Sequence, residues 1–407
     1  VSLVVQKFGG TSVATAEQIH RAARRAIQEK LAGRRVVAVV SAMGESTDRL
    51  IELAYQISRN PPKRELDMLV TTGEQVSIAL MAMAIHEAGH HAISLTAAQV
   101  GLVTDSVHTK ARIHSISAER INRELDAGRI VIVAGFQGVD PAGEITALGR
   151  GASDTTAVAL AAVLEAEVCE IYTDVDGVYT ADPRLVPQAR KIGRVSYDEM
   201  LELASLGAGV VHSRGIEFGT KYQVPIHVRS SMTDNKGTMI VPETPGMEDV
   251  IVRGVTLRRD LARIRLNRVP NRPGSAARIF ERVNAHHLVV DDIIQNVTGD
   301  GTMVDIDFTI DLEDAPQARA LCEMLAQEMD IGSVQVEDQV SKVSIVGVGM
   351  RSHTGVAARM FRALADSQIN IENINTSEIV ISVIVRRDDG EKALRALHAA
   401  FQLDTGP

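Results

Sequence analysis

The chain has 407 residues, too many for one ordinary hydrophobic core, and so implies two or three domains. Its formal charge of −9, aromatic content of 3% and lack of Trp exclude nucleic acid as the main partner, because backbone binders need basic surface and single-strand binders need aromatic platforms. The two cysteines, Cys169 and Cys322, form no CxxC pair, which excludes a disulfide framework or thiolate zinc site and fits a reducing compartment.

From Val1 to about Val241, short β-branched runs alternate with helical patterns. In chain order they are strand Leu3–Val5, helix Ala16–Ala32, strand Arg35–Val40, helix Glu65–Ala88, helix Ala118–Ala127, strand Ile130–Ala134, helix Thr155–Glu165, strand Val168–Thr173 and strand Ile226–Val228. Such alternation predicts an α/β domain with a mostly parallel sheet over residues 1–241. Ser196 with Glu199 makes a capping box that opens a further helix, and the Pro- and Gly-bearing stretch at 242–250 reads as a linker. The longest apolar runs, Val36–Val40 and Ala157–Leu164, are far shorter than a membrane span. The first residues carry no basic segment or cleavage site, so no membrane partner and a cytoplasmic location are expected.

An internal repeat sets the architecture of the second half. At an offset of 81 residues Gly274 falls on Gly355, Ala276 on Ala357, Ala277 on Ala358, Arg278 on Arg359 and Phe280 on Phe361; Leu288, Val290 and Ile293 then fall on Ile369, Ile371 and Ile374. Each copy reads strand, glycine loop, helix, two strands, helix, strand, a ferredoxin-like βαββαβ unit. The first copy is placed at 251–340 and the second at 341–407, with the strand at 251–257 able to join either.

Three segments carry candidate chemistry. Lys7-Phe8-Gly9-Gly10-Thr11-Ser12 ends the first strand: a strand-end Lys and glycines that bare backbone N–H groups suit a polyphosphate, although a lone Gly-Gly turn is most often only a turn. Gly149-Arg150-Gly151-Ala152-Ser153-Asp154 runs into a helix. Arg150 there can grip a carboxylate bidentately and Asp154 can pair with a catalytic Lys, while Ser153 or Asp154 also suits an N-cap. The loop Tyr172–Arg184 follows a strand end, where open α/β sheets bind ligands; its Asp174, Tyr179 and Arg184 could hold a nucleotide. His86-Glu87-Ala88-Gly89-His90 matches HExxH by letter, but Gly89 reads as a helix stop, so no metal site is assigned. Asn296-Val297-Thr298 spells a glycosylation acceptor that carries no weight in a cytoplasmic chain.

KFGGTSV at 7–13, VVSAMG at 39–44, TTGE at 71–74, GFQG at 135–138, GRGASDTTA at 149–157, TDVDGVYTADPR at 173–184, VRSS at 228–231, QNV at 295–297 and SEI at 377–379 together resemble the aspartate kinases of the amino-acid kinase superfamily, collinearly over essentially the whole chain. The resemblance implies a carbamate-kinase-like α/β/α sandwich with a mostly parallel sheet, followed by two tandem ferredoxin-like ACT domains. It implies an enzyme that moves the γ-phosphate of ATP, with Mg²⁺, onto the side-chain carboxylate of L-aspartate. Lys7, Phe8, Gly9, Gly10 and Ser41 would meet the ATP phosphates, and Thr173, Asp174, Tyr179, Asp182 and Arg184 the rest of the nucleotide. Thr47, Glu74, Leu125, Asp126, Arg150, Gly151, Ala152 and Ser153 would place aspartate, with Glu74 at its amino group and Arg150 at its α-carboxylate; Asp154 would orient Lys7.

For the ACT half, the resemblance implies an effector pocket from Asn271, Gly274, Ala276, Asp291 and Gln295, completed by Asn370 and Ile371 of the other copy across a homodimer interface, with Ser377 and Glu378 nearby. Lysine, threonine or both are the implied effectors. Met247 stands where some relatives start a separate regulatory subunit. Four positions depart from the family pattern: Ala152 replaces a Gly, Gly209 a Lys that helps hold ATP in many relatives, Asn271 an Asp and Asn375 a Ser. Two rival readings remain open here: a kinase for glutamate or acetylglutamate, and an amino-acid sensor with a decayed kinase domain.

Overall fold

The computed structural model describes residues 2–149, 151–244, 246–247, 249–299 and 301–405. The chain divides into two units, residues 1–179 with 191–247 and residues 180–190 with 248–407.

The first unit is built on an eight-stranded sheet in the order Arg194–Ser196, Thr238–Val241, Ile226–Ser230, Val168–Thr173, Leu3–Phe8, Arg35–Val40, Ile130–Ala134, Ala92–Leu95. Neighbours run parallel except Ile226–Ser230 against Thr238–Val241. Its central strands are near-continuous apolar runs because helices cover both faces. On one face Val4, Phe8, Val36, Ala38, Val40, Ile130 and Ile132 meet Ile19, Ala23, Ile78, Met81 and Ile85 of helices Ala16–Leu31 and Thr72–Glu87. On the other, helix Ala152–Val163 lies against the three strands Val168–Thr173, Leu3–Phe8 and Arg35–Val40. A smaller four-stranded sheet (Ile113–Ser115, Val103–Thr104, Gln137–Val139, Ile145–Ala147) stands beside this core.

The single helix expected over Glu65–Ala88 is instead two, Lys63–Val70 and Thr72–Glu87. At the break the Thr71 hydroxyl donates back to the Asp67 carbonyl at 2.8 Å, and Gln137 Nε2 donates to the Thr71 carbonyl at 3.1 Å. Side chains inserted into the ladder in this way interrupt a helix. Taken together Lys63–Glu87 is long and apolar enough to cross a membrane, yet over half of its most apolar window is buried inside the first unit. Gly89, at φ 80°, ends the second helix, and His86 Nε2 lies 3.1 Å from the Ala92 carbonyl, so His86 and His90 do not share a helical face.

The second unit holds both ferredoxin-like copies. The first runs from Leu261 to Glu337 with sheet order Val290–Thr298, Met303–Asp311, Leu261–Pro270, Ser333–Glu337 and helices Ser275–Ala285 and Ala315–Met329. The second differs from the expected repeat: its final helix, Gly390–Ala400, is followed by no strand among the described residues. Its fourth strand is Gly254–Arg258, paired antiparallel with Val340–Val346. The first copy is therefore inserted between two strands of the second. The offset of 81 holds to the residue for helices Ser275–Ala285 and Val356–Asp366, which follow Gly274 and Gly355 at φ 93° and 86°.

Residues 180–190, placed with the kinase domain from the sequence, pack within this second unit. Val255 N donates to the Thr180 carbonyl at 2.8 Å, Thr180 Oγ1 pairs with His398 Nε2 at 2.9 Å, and Arg190 Nε donates to the Leu403 carbonyl at 3.1 Å. Ala181 and Val186 join the core beneath the second sheet.

Candidate active site

The site forms where the parallel strands Leu3–Phe8, Arg35–Val40 and Val168–Thr173 end, the edge at which open α/β sheets present ligands. Lys7 points to the face covered by helix Ala152–Val163, and its Nζ lies 2.7 Å from Asp154 Oδ1; both side chains are largely buried. Asp154 Oδ2 accepts the backbone N–H of His212 at 2.9 Å, so the carboxylate is fixed from two sides. Beyond Lys7, Gly9 N donates to the Tyr172 carbonyl at 3.3 Å and Gly44 N to the Gly10 carbonyl at 3.0 Å, which locks the glycine turn against the Ser41–Gly44 segment.

Glu74 sits in the first turn of helix Thr72–Glu87 and is 3% exposed. It reaches this position because Gly73 lets the helix lie on Ala42: a Cβ on Gly73 would come within 2.8 Å of the Ala42 methyl. Glu74 Oε1 accepts Ala42 N–H at 3.2 Å, while Oε2 is buried with no hydrogen-bond partner. Burial pushes its carboxyl up to about 7, against the pull of the backbone N–H groups. A buried acceptor in that state is satisfied by an incoming cationic donor.

The turn before helix Ala152–Val163 needs a glycine at 151. Gly151 has φ 73°, and a Cβ there would fall 2.4 Å from the His212 ring. Ala152 is helical and fully buried against Ala111 and Leu148, so the extra methyl at this departure from the family pattern fits without a positive φ. Ser153 is buried beside Gly135, where a Cβ would come within 2.6 Å of its Oγ.

This chain matches the amino acid kinase family over residues 2–230 and the ACT domain twice, over 262–321 and 343–401. It is 51% identical over 405 residues to an aspartate kinase of Stutzerimonas stutzeri (99% of this chain, 98% of that one) and 49% identical over 407 residues to aspartokinase 2 of Bacillus subtilis (100% and 99%). The chain belongs to the aspartate kinases of the amino acid kinase family. Among solved structures it is similar to aspartokinase III of E. coli in complex with aspartate and ADP (TM-score 0.82, 26% identity, 98% and 99% coverage). The same enzyme in complex with lysine and aspartate gives a TM-score of 0.79. As a member of that family it is a phosphotransferase that uses ATP.

Within this amino acid kinase the structure gathers Lys7, Gly9, Gly10, Ser41, Glu74, Gly151, Ser153 and Asp154 around the strand ends, with Thr47 half-buried on helix Ser46–Ile57 nearby in sequence. Arg150 lies outside the described residues. Thr173 Oγ1 donates to Asp174 at 2.9 Å, and the Tyr179 hydroxyl donates to Asp176 at 2.6 Å, an interaction that raises Tyr179 to about 12 and lowers Asp176. The Tyr179 hydroxyl is thus committed within its own loop.

The Phe8 ring is fully buried and stacks on Tyr172 at 5.0 Å, so only its backbone faces the site. Leu125 is buried, and Asp126 pairs with Arg35 at 3.2 Å. Arg35 opens its strand, so Asp126 lies at the opposite sheet edge, about 17 Å of strand from the Val40 end. Asp182 and Arg184 belong to the second unit, where they bond to each other. Of the effector set, Asp291 is held by Lys342 Nζ at 3.0 Å, Asn271 Nδ2 donates to the Gly301 carbonyl at 2.7 Å, and Gln295 and Asn370 are exposed. Gly274 and Ala276 lie at the start of helix Ser275–Ala285. Ile371 is half-buried, Ser377 N bonds to the Val380 carbonyl, and Glu378 faces Arg351 at 3.4 Å.

Sequence reasoning missed His212, Arg214 and Asp67. Asp67 is fully buried and accepts His108 Nδ1, Thr109 N and Ala147 N at 2.9–3.1 Å. On a helix of mixed composition it reads as a solvent-facing residue. His212 and Arg214 follow the Gly207–Val211 stretch, and that proximity to a glycine turn was the available signal.

Proposed function

We propose that this chain transfers the γ-phosphate of ATP to the β-carboxylate of L-aspartate, giving ADP and 4-phospho-L-aspartate. The observation that carries the reading is the largely buried Lys7–Asp154 pair beside Gly9, together with the Glu74 carboxyl on Ala42 just past the end of the neighbouring strand, one oxygen of which has no partner. Asp154, fixed by His212 N–H, keeps Lys7 Nζ where a γ-phosphate oxygen would sit, and backbone N–H groups of the Gly9–Gly10 turn take further phosphate charge. Glu74 supplies the orphaned oxygen for the aspartate ammonium, and Arg150 the fork for its α-carboxylate.

One β-carboxylate oxygen then attacks the γ-phosphorus in line, the bond to the β,γ-bridging oxygen breaks, and ADP leaves with that electron pair. The acceptor is ionised at neutral pH, so no general base is required. Among the described residues no group of three ligating side chains could cage a metal. Mg²⁺ would be carried on the phosphate oxygens of the nucleotide and would neutralise their charge.

The ACT pair would bind an amino-acid effector, lysine or threonine, at a homodimer interface; the lysine complex of the E. coli relative supports the lysine part of this reading. ADP release should follow aspartate and not glutamate or acetylglutamate. Lys7→Ala should lower kcat about 10²–10³-fold. Unchanged turnover in that variant, or a preference for glutamate, removes the assignment. Inhibition by lysine and threonine, singly and together, tests the regulatory half.

A further inference from the structure

The backbone that leads to helix Ala152–Val163 is held by groups from outside its own loop. On its upstream side, Ala147 N donates to the buried Asp67 carboxylate at 3.0 Å, and Leu148 N to the Phe136 carbonyl at 2.8 Å. The Leu148 carbonyl accepts Arg214 Nη1 at 2.8 Å, and the same guanidinium reaches the Ala111 carbonyl through Nη2 at 3.3 Å. Ala111 and Leu148 are buried and, with Ala152, form a small apolar cluster. Without Arg214 these two carbonyls would lose a charged donor in a place that water does not readily reach. Only a guanidinium fork serves both at once; an ammonium is a point donor.

Arg214 lies in the first turn of helix Ser213–Tyr222, whose cap residue is His212. The His212 N–H holds Asp154, the partner of Lys7, and its ring occupies the space beside Gly151. One short segment, 212–214, therefore sets both the lysine on the phosphate side and the turn on the amino-acid side. We propose that Arg214 is a positioning residue for the amino-acid site, fixing the Leu148 and Ala111 backbone against which helix Ala152–Val163 begins, so that Gly151 and Ser153 are held where the substrate carboxylate would bind. This inference rests on the aspartate kinase reading above.

Steady-state kinetics on the full chain, with each substrate varied in turn, tests it on Arg214→Ala and Arg214→Lys. Arg214→Ala should raise the KM for aspartate about tenfold or more, the scale of losing charge-assisted bonds to buried carbonyls, with the KM for ATP within about twofold. Arg214→Lys should fall between parent and alanine variant, and millimolar methylguanidine should recover the alanine variant without changing the parent. An unchanged aspartate KM in both variants overturns the proposal. So does a parallel rise in both KM values with a fall in melting temperature and no recovery by methylguanidine. Should the alanine variant fail to fold, the lysine variant decides alone: a selective rise in the aspartate KM supports the proposal, and parental kinetics refute it. A parent chain that does not turn over aspartate sinks the functional reading itself, and this inference with it.

Discussion

Three helices of this chain begin from a glycine in the left-handed region, at Gly151, Gly274 and Gly355. They differ in what surrounds them. A Cβ on Gly151 would strike the His212 ring, whereas a Cβ on Gly274 or Gly355 would meet nothing within 4 Å. The kinase turn is walled in by neighbours that fix it before substrate arrives. The two regulatory turns leave open space at the same point, with room for a ligand. Preorganisation serves a site that must align reacting atoms, and open space serves one that adapts to an effector.

The strongest way to break this contrast is Gly151→Ala, where backbone strain adds to a collision with a ring. Activity with aspartate should fall about hundredfold, the scale of a small misplacement at a reacting centre. Parental activity in that variant would mean the turn yields easily.

Glu74→Gln sharpens the idea that the kinase side stores an unmet polar demand. Burial raises its carboxyl to about 7, so the folded protein holds a proton there that the unfolded chain has already released. Stability therefore falls as pH rises from the ordinary glutamate range to 7, by about 3 kcal/mol in all. The glutamine variant should melt higher than the parent at pH 8 in the absence of substrate, with a flatter pH profile and weakened activity. Equal melting profiles would refute the burial argument.

Gly274→Ala and Gly355→Ala should each cost about 1–2 kcal/mol by denaturant melt, from backbone strain alone, with parental kinetics in the absence of effector. A collapse of basal activity would show that these turns are as constrained as the catalytic one. Smallest of all, Gly209→Lys should be tolerated structurally, since a Cβ there meets nothing and its φ is not positive. By resemblance to lysine-bearing relatives it should lower the KM for ATP a fewfold; an unchanged or raised KM would count against a nucleotide contact at that position.

The alternation of strands and helices was legible because the central parallel strands are rich in β-branched and apolar residues, and strands Arg35–Val40, Ile130–Ala134 and Val168–Thr173 end where their patterns end. The repeat was legible because Gly, Arg and Phe recur at one spacing. Lys7 with Asp154 could be inferred because both flank glycine turns. Asp67 could not, since a buried carboxylate satisfied by distant backbone N–H groups leaves no local pattern. The excursion of residues 180–190 into the second unit was hidden for a related reason, as its anchors His398 and Leu403 lie more than 200 residues away. Asp126 rests on the resemblance alone: it closes the helix that leads into strand Ile130–Ala134, and a crossover helix ends at the start of its next strand, away from the ligand end.

The strand Gly254–Arg258 carries a consequence for how the molecule is made. During synthesis it leaves the ribosome before the inserted copy, yet its partner Val340–Val346 emerges some eighty residues later. The inserted copy can close on itself in the interval, while the earlier strand waits with an unpaired edge. Any fragment of the regulatory half must begin upstream of Gly254, or one copy will be expressed with an open flank prone to pairing with strangers.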